Sequence, residues 1–245
     1  MKIYHKIVGQ GPDLVLLPGW AFHSDVWSSL VKYLENQFTV HLFDFPGFGR
    51  MNNIKIPNSL EHCVDILYPE LPQSAKYIGW SLGGLLTLLL AMRFPERVES
   101  VITIGSTPYF LQQDSWRGVT ESYFTEFYAA VESNSAKALQ QFILFSLAER
   151  GQQKTYFSSL WEIFNRYQPT QQALLVGLQL LQNTDLRANK QTIRCPIQNI
   201  VGTKDPLAFI NDEYDCPLET AGHFPMLTHS TELYALIQSF YAKYS

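Results

Sequence analysis

Gly79-Trp80-Ser81-Leu82-Gly83-Gly84 is the stretch of sequence that decides the fold. It lies between an apolar run that predicts a strand, Lys76–Trp80, and a helical run, Leu82–Phe94. A G-x-S-x-G pattern in this context is typical of a nucleophile elbow, a strained turn that projects the serine hydroxyl at the carboxyl end of a sheet. We interpret Ser81 as a catalytic nucleophile, because the alternative, a serine in a glycine-rich turn, leaves the flanking strand and helix unexplained.

Strands and helices alternate on both sides of this stretch, which predicts an α/β fold with a mostly parallel central sheet flanked by helices. Further buried strands are predicted at Leu14–Leu17, Phe38–Phe43, Val98–Ile104 and Pro196–Gly202. Helices are predicted at Ser24–Asn36, Ser59–Leu67 and Thr231–Tyr244.

The segment from Tyr109 to about Lys190 departs from this alternation, because it shows helical patterns and no convincing strand. Its predicted helices are Val119–Glu132, Ser135–Leu147, Thr155–Asn165 and Thr170–Gln182. We therefore expect a core of residues 1–108 and 191–245, with residues 109–190 inserted between two core strands as an all-helical lid.

Composition limits the classes of function. The chain of 245 residues is 46% hydrophobic and 16% charged, which excludes disorder as a description of the whole. A net charge of −4 argues against nucleic acid as a partner, and no apolar run approaches the about 20 residues of a membrane span. Cys63, Cys195 and Cys216 are odd in number and lack C-x-x-C spacing. We expect a cytoplasmic protein with free thiols.

A nucleophilic serine needs a general base and a carboxylate that orients the base. His223 lies in a loop of small residues before the last predicted helix, whereas His229 falls at the start of that helix, where capping explains it. Asp205 directly follows the strand Pro196–Gly202. Asp212 and Asp215 are the later competitors. The predicted triad is therefore Ser81, Asp205 and His223.

The developing negative charge of an acyl-transfer reaction needs two N–H donors. We expect them from Leu82, which follows the nucleophile, and from Trp20, in the loop after the first buried strand; a plain core role for Trp20 stays open. Asp44, after an earlier strand, is interpreted as a carboxylate that fixes a loop. No H-E-x-x-H motif, phosphate-cradling loop or Cys/His cluster is present, so we expect neither metal nor cofactor.

These motifs together resemble the BioH-type pimeloyl-[acyl-carrier protein] methyl ester esterases. The resemblance is carried by Leu16–Trp20, His41–Arg50, Gly79–Gly84 and Phe94–Val98, and at the two ends of the lid by Thr107–Phe110 and Thr184–Arg187. It extends nearly from end to end and implies the α/β-hydrolase fold. It also implies hydrolysis of the methyl ester of pimeloyl-carrier protein in biotin biosynthesis, by a monomer that needs no cofactor.

The resemblance further implies residues that contact the substrate and its carrier. Substrate contacts are expected from Trp20, Ser81, Leu82, Phe142, Ile143, Phe145, Ser146 and His223. Lys137, Arg150 and Lys154 fall where the family meets the acidic carrier protein, whereas Gln141 and Ser158 stand where arginine is expected. The match to the docking surface is therefore partial.

One spacing departs from the family: only 18 positions separate Asp205 from His223. A parallel crossover usually takes a dozen or more residues, most often as a helix, so we expect a final strand near Asp215–Glu219 that is reached by a loop.

Three other hypotheses stay open: a broad-range short-chain or lipase-like carboxylesterase, a carbon–carbon bond hydrolase, and a non-catalytic ligand receptor on the same fold.

Overall fold

A single β-sheet organises the described chain, which comprises residues 3–211 and 213–244 of a computed structural model. Its seven strands in the described ranges are β1 His5–Val8, β2 Asp13–Leu17, β3 Thr39–Phe43, β4 Ala75–Trp80, β5 Val98–Ile104, β6 Ile197–Gly202 and β7 Asp215–Leu218. They lie in the order β1-β3-β2-β4-β5-β6-β7. Every neighbouring pair is parallel except β1 with β3, so the carboxyl ends of the central strands meet at one edge.

Helices cover the sheet and extend beyond it. They are α1 Ser28–Leu34, α2 Leu60–Leu67, α3 Leu82–Arg93, α4 Glu121–Ser146, α5 Arg150–Arg166, α6 Gln171–Asn183, α7 Pro225–Thr228 and α8 Ser230–Lys243. The Gly79–Gly84 motif joins β4 to α3, as the sequence predicts. Within the described ranges, no helix combines the length and the apolarity needed to cross a membrane.

The central strands are mostly buried because both faces of the sheet are covered. Four residues of β2, Leu14–Leu17, are completely buried, and the middle of β5 is buried as well. β1 is the strand that the sequence analysis missed. It is an edge strand with exposed Lys6 and Ile7, so the apolar run that identifies the central strands is absent from it.

The segment between β5 and β6 contains α4, α5 and α6. The two helices predicted at Val119–Glu132 and Ser135–Leu147 correspond to the two halves of α4, which are separated by a non-helical residue, Asn134. The side-chain oxygen of Asn134 accepts the N–H of Lys137 at 3.0 Å, the bond that an asparagine makes at a helix start. The helix therefore ends and begins again at a kink.

The short connection from β6 to β7 is a loop, and its described residues include no helix. The turns after the two strands lie against each other: Lys204 N–H donates to Ala221 at 2.9 Å, and Thr203 N–H donates to Leu218 at 3.0 Å. A side chain at Gly202 would overlap the carbonyl of Ala221. This close approach brings Asp205 beside His223 across the 18-residue spacing.

Candidate active site

Ser81 occupies a strained turn between β4 and α3. Its backbone has φ 53° and ψ −118°, in the region that non-glycine residues rarely adopt. The turn is tight because side chains at Gly79 and Gly83 would overlap the carbonyls of Gly83 and Leu17. Ser106 supports it by donating its hydroxyl to the Ser81 carbonyl at 2.8 Å. This is the strand–turn–helix geometry that exposes a serine oxygen at the end of a sheet.

Asp205 and His223 form a completely buried pair. His223 Nδ1 lies 2.8 Å from Asp205 Oδ2, and both side chains have no exposed surface. The other carboxylate oxygen of Asp205 accepts the N–H groups of Leu207 at 2.8 Å and Ala208 at 3.2 Å. The carboxylate therefore holds the proton on Nδ1, which leaves Nε2 as an acceptor. His223 Nε2 is buried and has no hydrogen-bond partner among the described residues.

The end of β5 joins this pair to the serine turn. Gly105 follows β5 with φ 51°, and a side chain there would lie 3.0 Å from Asp205 Oδ2 and 3.1 Å from His223 Nδ1. The next residue, Ser106, is the one that holds the Ser81 carbonyl. The structure thus brings the three residues of the predicted triad to the carboxyl ends of β4, β5 and β6.

The loop after β2 lies directly beside the serine. A side chain at Gly19 would lie 2.9 Å from the Ser81 Cβ. The loop turns sharply, with a Phe22 N–H bond to the Gly19 carbonyl at 3.3 Å and a positive φ of 66° at Ala21. Trp20 in this loop is buried and donates its indole N–H to the Leu174 carbonyl of α6 at 2.9 Å. The backbone of Trp20 and the first residue of α3, Leu82, therefore flank the nucleophile.

An apolar cavity opens at Ser81. It is lined by Trp20, Ser81, Phe110, Val119, Tyr123, Phe124, Phe127, Phe142, Leu178, Leu181 and Leu207. These lining residues include no carboxylate and no cation, and burial raises the pKa of Tyr123, so its hydroxyl stays neutral. The lining therefore suits an uncharged group and disfavours an ionised one.

The expected substrate contacts divide into two groups in the structure. Trp20, Ser81 and Phe142 line the cavity. Leu82, Ile143, Phe145, Ser146 and His223 are outside the described lining. Ile143 is buried, Ser146 is buried against the loop of His223, and Phe145 is 52% exposed. Consecutive residues of a helix cannot all face one cavity, since each is turned by about 100° from the last.

The sequence analysis missed Tyr123 and Phe127, which line the cavity from the first half of α4. Their rings stack at 6.1 Å, and Phe127 packs on Phe142 at 5.7 Å. The spacing of four residues between Tyr123 and Phe127 places them on one helix face, and this aromatic pair is the signal that could have identified them.

The competing residues have other partners in the structure. His229, at the start of α8, contacts the hydroxyls of Thr220 at 3.2 Å and Thr228 at 2.8 Å. Asp215 accepts the side-chain amide of Asn199 at 2.7 Å. Asp212 lies outside the described residues. Asp44 accepts the N–H groups of Ser24 and Arg50, so it fixes two loops as the sequence predicts.

The three cations expected at the docking surface are exposed on the helical segment. Lys137 lies on α4, and Arg150 and Lys154 are four residues apart on α5. Exposed Leu144 and Phe145 lie near the end of α4. α5 is tied to this end of α4 by Gln153, whose side chain donates to the Leu144 carbonyl at 2.7 Å.

The fold and the site define the class of protein. The chain belongs to the alpha/beta hydrolase fold family, whose model matches residues 12–230. Solved structures agree in fold: a bromoperoxidase from Bacillus anthracis has a TM-score of 0.86 at 20% identity, covering 98% of this chain and 95% of its own. An esterase from Exiguobacterium antarcticum has a TM-score of 0.85 at 17% identity, covering 97% and 94%.

Sequence relatives narrow this class. A pimeloyl-[acyl-carrier protein] methyl ester esterase of Shewanella woodyi is 33% identical in an alignment 244 positions long that covers 94% of each chain. The protein of the same name from Aeromonas hydrophila is 32% identical over 98% of this chain and 99% of its own. Within the hydrolase fold family, the chain belongs to the family of pimeloyl-[acyl-carrier protein] methyl ester esterases, and it is a carboxylic ester hydrolase.

Proposed function

We propose that the protein hydrolyses the methyl ester of pimeloyl-[acyl-carrier protein], with Ser81 as nucleophile, His223 as general base and Asp205 as the carboxylate that orients the base. The observation that carries the proposal is the buried Asp205–His223 pair, whose facing atoms are 2.8 Å apart, close to a strained serine turn that lines an uncharged cavity. Membership in the esterase family supports the choice of substrate.

The first half of the reaction forms an acyl-enzyme. The Ser81 oxygen attacks the ester carbonyl while His223 Nε2 takes the hydroxyl proton. The N–H groups of Trp20 and Leu82 stabilise the negative oxygen of the tetrahedral intermediate. The intermediate collapses, His223 returns the proton to the leaving methoxide, and methanol departs. The remaining imidazole again carries its proton on Nδ1, towards Asp205.

The second half releases the acid. A water molecule gives a proton to His223 Nε2 and attacks the acyl carbonyl, and the same two N–H groups stabilise the second intermediate. Ser81 leaves as a hydroxyl after recovering the proton from His223. The product is a pimeloyl-carrier protein with a free distal carboxylate. The net change is the addition of one water and the release of one methanol.

The uncharged cavity favours binding of the substrate over binding of the product. The substrate presents a methyl ester, which loses little when it leaves water, whereas the product presents a carboxylate. Since the described lining residues include no cation, an ionised product has no partner there. The cavity therefore binds the ester form better than the acid form, and product release follows from the charge that the reaction creates.

We also propose that residues 109–190 act as the lid of a core made of residues 1–108 and 191–245. The lid carries a docking surface defined by Lys137, Leu144, Phe145, Arg150 and Lys154. Its cations match the acidic surface of a carrier protein, and the two exposed apolar side chains lie on the same helical segment. Phe145 packs on Tyr123 of the cavity, which connects this surface to the acyl site.

We further propose that the protein works as a monomer and that it is located in the cytoplasm. Cys63, Cys195 and Cys216 are free thiols in the structure, which suits a reducing compartment. Burial raises the pKa of Cys63 to about 12, so that thiol is unreactive at neutral pH.

The test combines an enzyme assay on purified protein with a growth assay in a biotin-requiring host. Purified protein is given methyl pimeloyl-carrier protein, and the free acid is followed by mass spectrometry, with Ser81→Ala as the matched control. The same two genes are placed in a host that lacks its own esterase and needs biotin. We expect hydrolysis and growth without biotin from the wild-type gene only. Hydrolysis of small esters without activity on the carrier-bound ester would overturn the proposed substrate while leaving the esterase chemistry intact.

A further inference from the structure

Trp80, the variable residue of the G-x-S-x-G motif, is buried at the centre of the site and contacts the loop of the base. Its indole Nε1–H donates to the main-chain carbonyl of His223 at 2.8 Å. The indole ring also packs against the imidazole, with ring centroids 5.4 Å apart, and against Phe224 at 5.1 Å. Only 1% of Trp80 is exposed, so water cannot replace the indole as the donor to this carbonyl.

The same ring supports the loop that carries the first oxyanion donor. A side chain at Gly19 would lie 2.7 Å from the Trp80 ring, so the backbone of that loop rests directly on the indole. Phe22, at the end of the loop, meets the ring edge-on at 5.6 Å. Trp80 thus lies between the oxyanion loop and the loop of the base, and its own backbone continues into Ser81.

The main chain of His223 is held by bonds from outside its own loop. Its N–H donates to the Ser146 carbonyl at the end of α4 at 2.9 Å, and its carbonyl accepts from Trp80. Asp205, by contrast, holds only the side chain of His223. If the indole N–H is lost, a buried carbonyl is left without its donor, and the main chain that carries the base is free to shift.

We infer that Trp80 is a positioning residue for ester hydrolysis, which sets His223 and the oxyanion loop at the correct distance from Ser81. The inference rests on the proposed roles of Ser81 and His223. It does not depend on the carrier protein, so it is tested on a small p-nitrophenyl ester. If Ser81→Ala keeps its activity on that ester, the proposed triad is at fault; if it does not, the Trp80 variants report on the positioning role alone.

Trp27 offers a matched control for this test. Like Trp80 it is completely buried, but its indole nitrogen has no hydrogen-bond partner among the described residues. Trp80→Phe and Trp27→Phe therefore remove the same atoms from buried sites, and only the first removes a bond to the base loop. Both variants should lose thermal stability. Only Trp80→Phe should also lose on the order of 10- to 100-fold in kcat, with KM nearly unchanged, because the base is misplaced in the transition state.

An isosteric replacement separates the hydrogen bond from the shape of the ring. Benzothienylalanine at position 80, introduced by codon suppression, places sulfur where the indole has its N–H and should keep the fold even if Trp80→Phe does not. We expect kcat to fall in this variant too, and the downfield proton NMR signal of the His223–Asp205 bond to shift or broaden. A wild-type kcat and an unchanged signal in the isostere would overturn the inference. So would equal losses of kcat in Trp80→Phe and Trp27→Phe.

Discussion

Ser81 shows how much a single residue position depends on its neighbours. A positive φ at a non-glycine residue costs about 1–3 kcal/mol, and the surrounding structure sustains it through the Ser106 hydroxyl and the close-packed Gly79 and Gly83. The glycines and the serine are visible in the sequence, which is why the elbow could be predicted. The support from Ser106 could not, because Ser106 follows a different strand.

At the same scale, Ser81→Ala should abolish ester hydrolysis and leave the fold intact. Alanine removes the nucleophilic oxygen, and loss of one triad member typically lowers kcat by several orders of magnitude. Alanine also accepts the same backbone at a similar strain, so the melting temperature should change little. The measurement is the rate on p-nitrophenyl butyrate beside a thermal melt. A variant with more than about a tenth of the wild-type rate would show that Ser81 is not the nucleophile.

The protonation of His223 leads to a second prediction. Only a neutral imidazole can accept the Ser81 proton, so kcat/KM should fall as the solution is made more acidic. The profile is measured on a neutral ester, so that the substrate itself does not titrate. An activity that does not change as the solution is made more acidic would contradict the role of His223 as general base.

At the scale of elements, α4 shows what a helical pattern can and cannot predict. The break at Asn134 is readable from the sequence, because asparagine is a favoured helix start and its side chain accepts the Lys137 N–H. The face that meets the cavity is not readable within Phe142–Ser146, since the stretch is rich in apolar residues on every side. Packing against the core determines it: Phe142 faces the site, and Phe145 faces solvent.

An ionic junction ties the helical segment to the core. Asp25 bonds Arg50 of the core at 2.9 Å and Arg166 of α5 at 3.0 Å, and His23 bonds the Ile163 carbonyl of α5 at 2.7 Å. Burial alone would raise the pKa of Asp25. The hydrogen bond to Arg50, together with the charges of His23, Arg50 and Arg166, outweighs burial and holds this pKa below its usual value. The ionised form of Asp25 therefore stabilises the folded chain.

The sign of this effect predicts how Asp25→Asn depends on pH. Because the folded pKa lies below the unfolded value of about 3.9, the stabilisation is complete above that value and is lost as the pH falls through the folded pKa. Asp25→Asn should cost about 2 kcal/mol near pH 7, and the difference from wild type should shrink towards pH 3. Urea unfolding at several pH values measures it.

The matched control for this junction is Asp65→Asn, which breaks an exposed pair with Arg93. Exposed pairs contribute little, so this variant should stay within about 1 kcal/mol of wild type at every pH. If the two variants behave alike at pH 7, the junction between α5 and the core does not contribute to stability as its geometry indicates.

At the scale of the whole molecule, the sheet explains why residues distant in sequence form one site. Parallel strands in the order β4-β5-β6 place the residues after each strand at the same edge, so Ser81, Gly105 and Asp205 meet there. Strand alternation predicts this arrangement from the sequence. The sequence does not predict how α4 to α6 pack on the core. This packing depends on contacts between distant residues, such as the hydrogen bond from Trp20 to Leu174.

The docking surface leads to a prediction about how the whole molecule meets its carrier protein. Reversing Lys137, Arg150 and Lys154 to Glu should raise KM for methyl pimeloyl-carrier protein at least several-fold. These exposed cations would steer an acidic partner, and such charges act over about 8 Å at physiological salt. The kcat/KM for a small free methyl ester should stay nearly the same, because Ser81, Asp205 and His223 lie outside the segment 109–190 that carries these cations. Steady-state kinetics on the two substrates, at low and high salt, measure both effects.

The matched control reverses three exposed lysines of the core elements, Lys6, Lys32 and Lys243, and so changes the net charge of the chain by the same amount. If steering depends on where the charges lie, this variant should keep most of its activity on the carrier-bound ester, whereas the lid variant should not. Equal losses in the two variants would mean that overall charge, rather than the docking surface, attracts the carrier protein. A lid variant that loses activity equally on both substrates has a damaged lid. A lid variant with full activity on both would mean that the carrier protein binds at another surface.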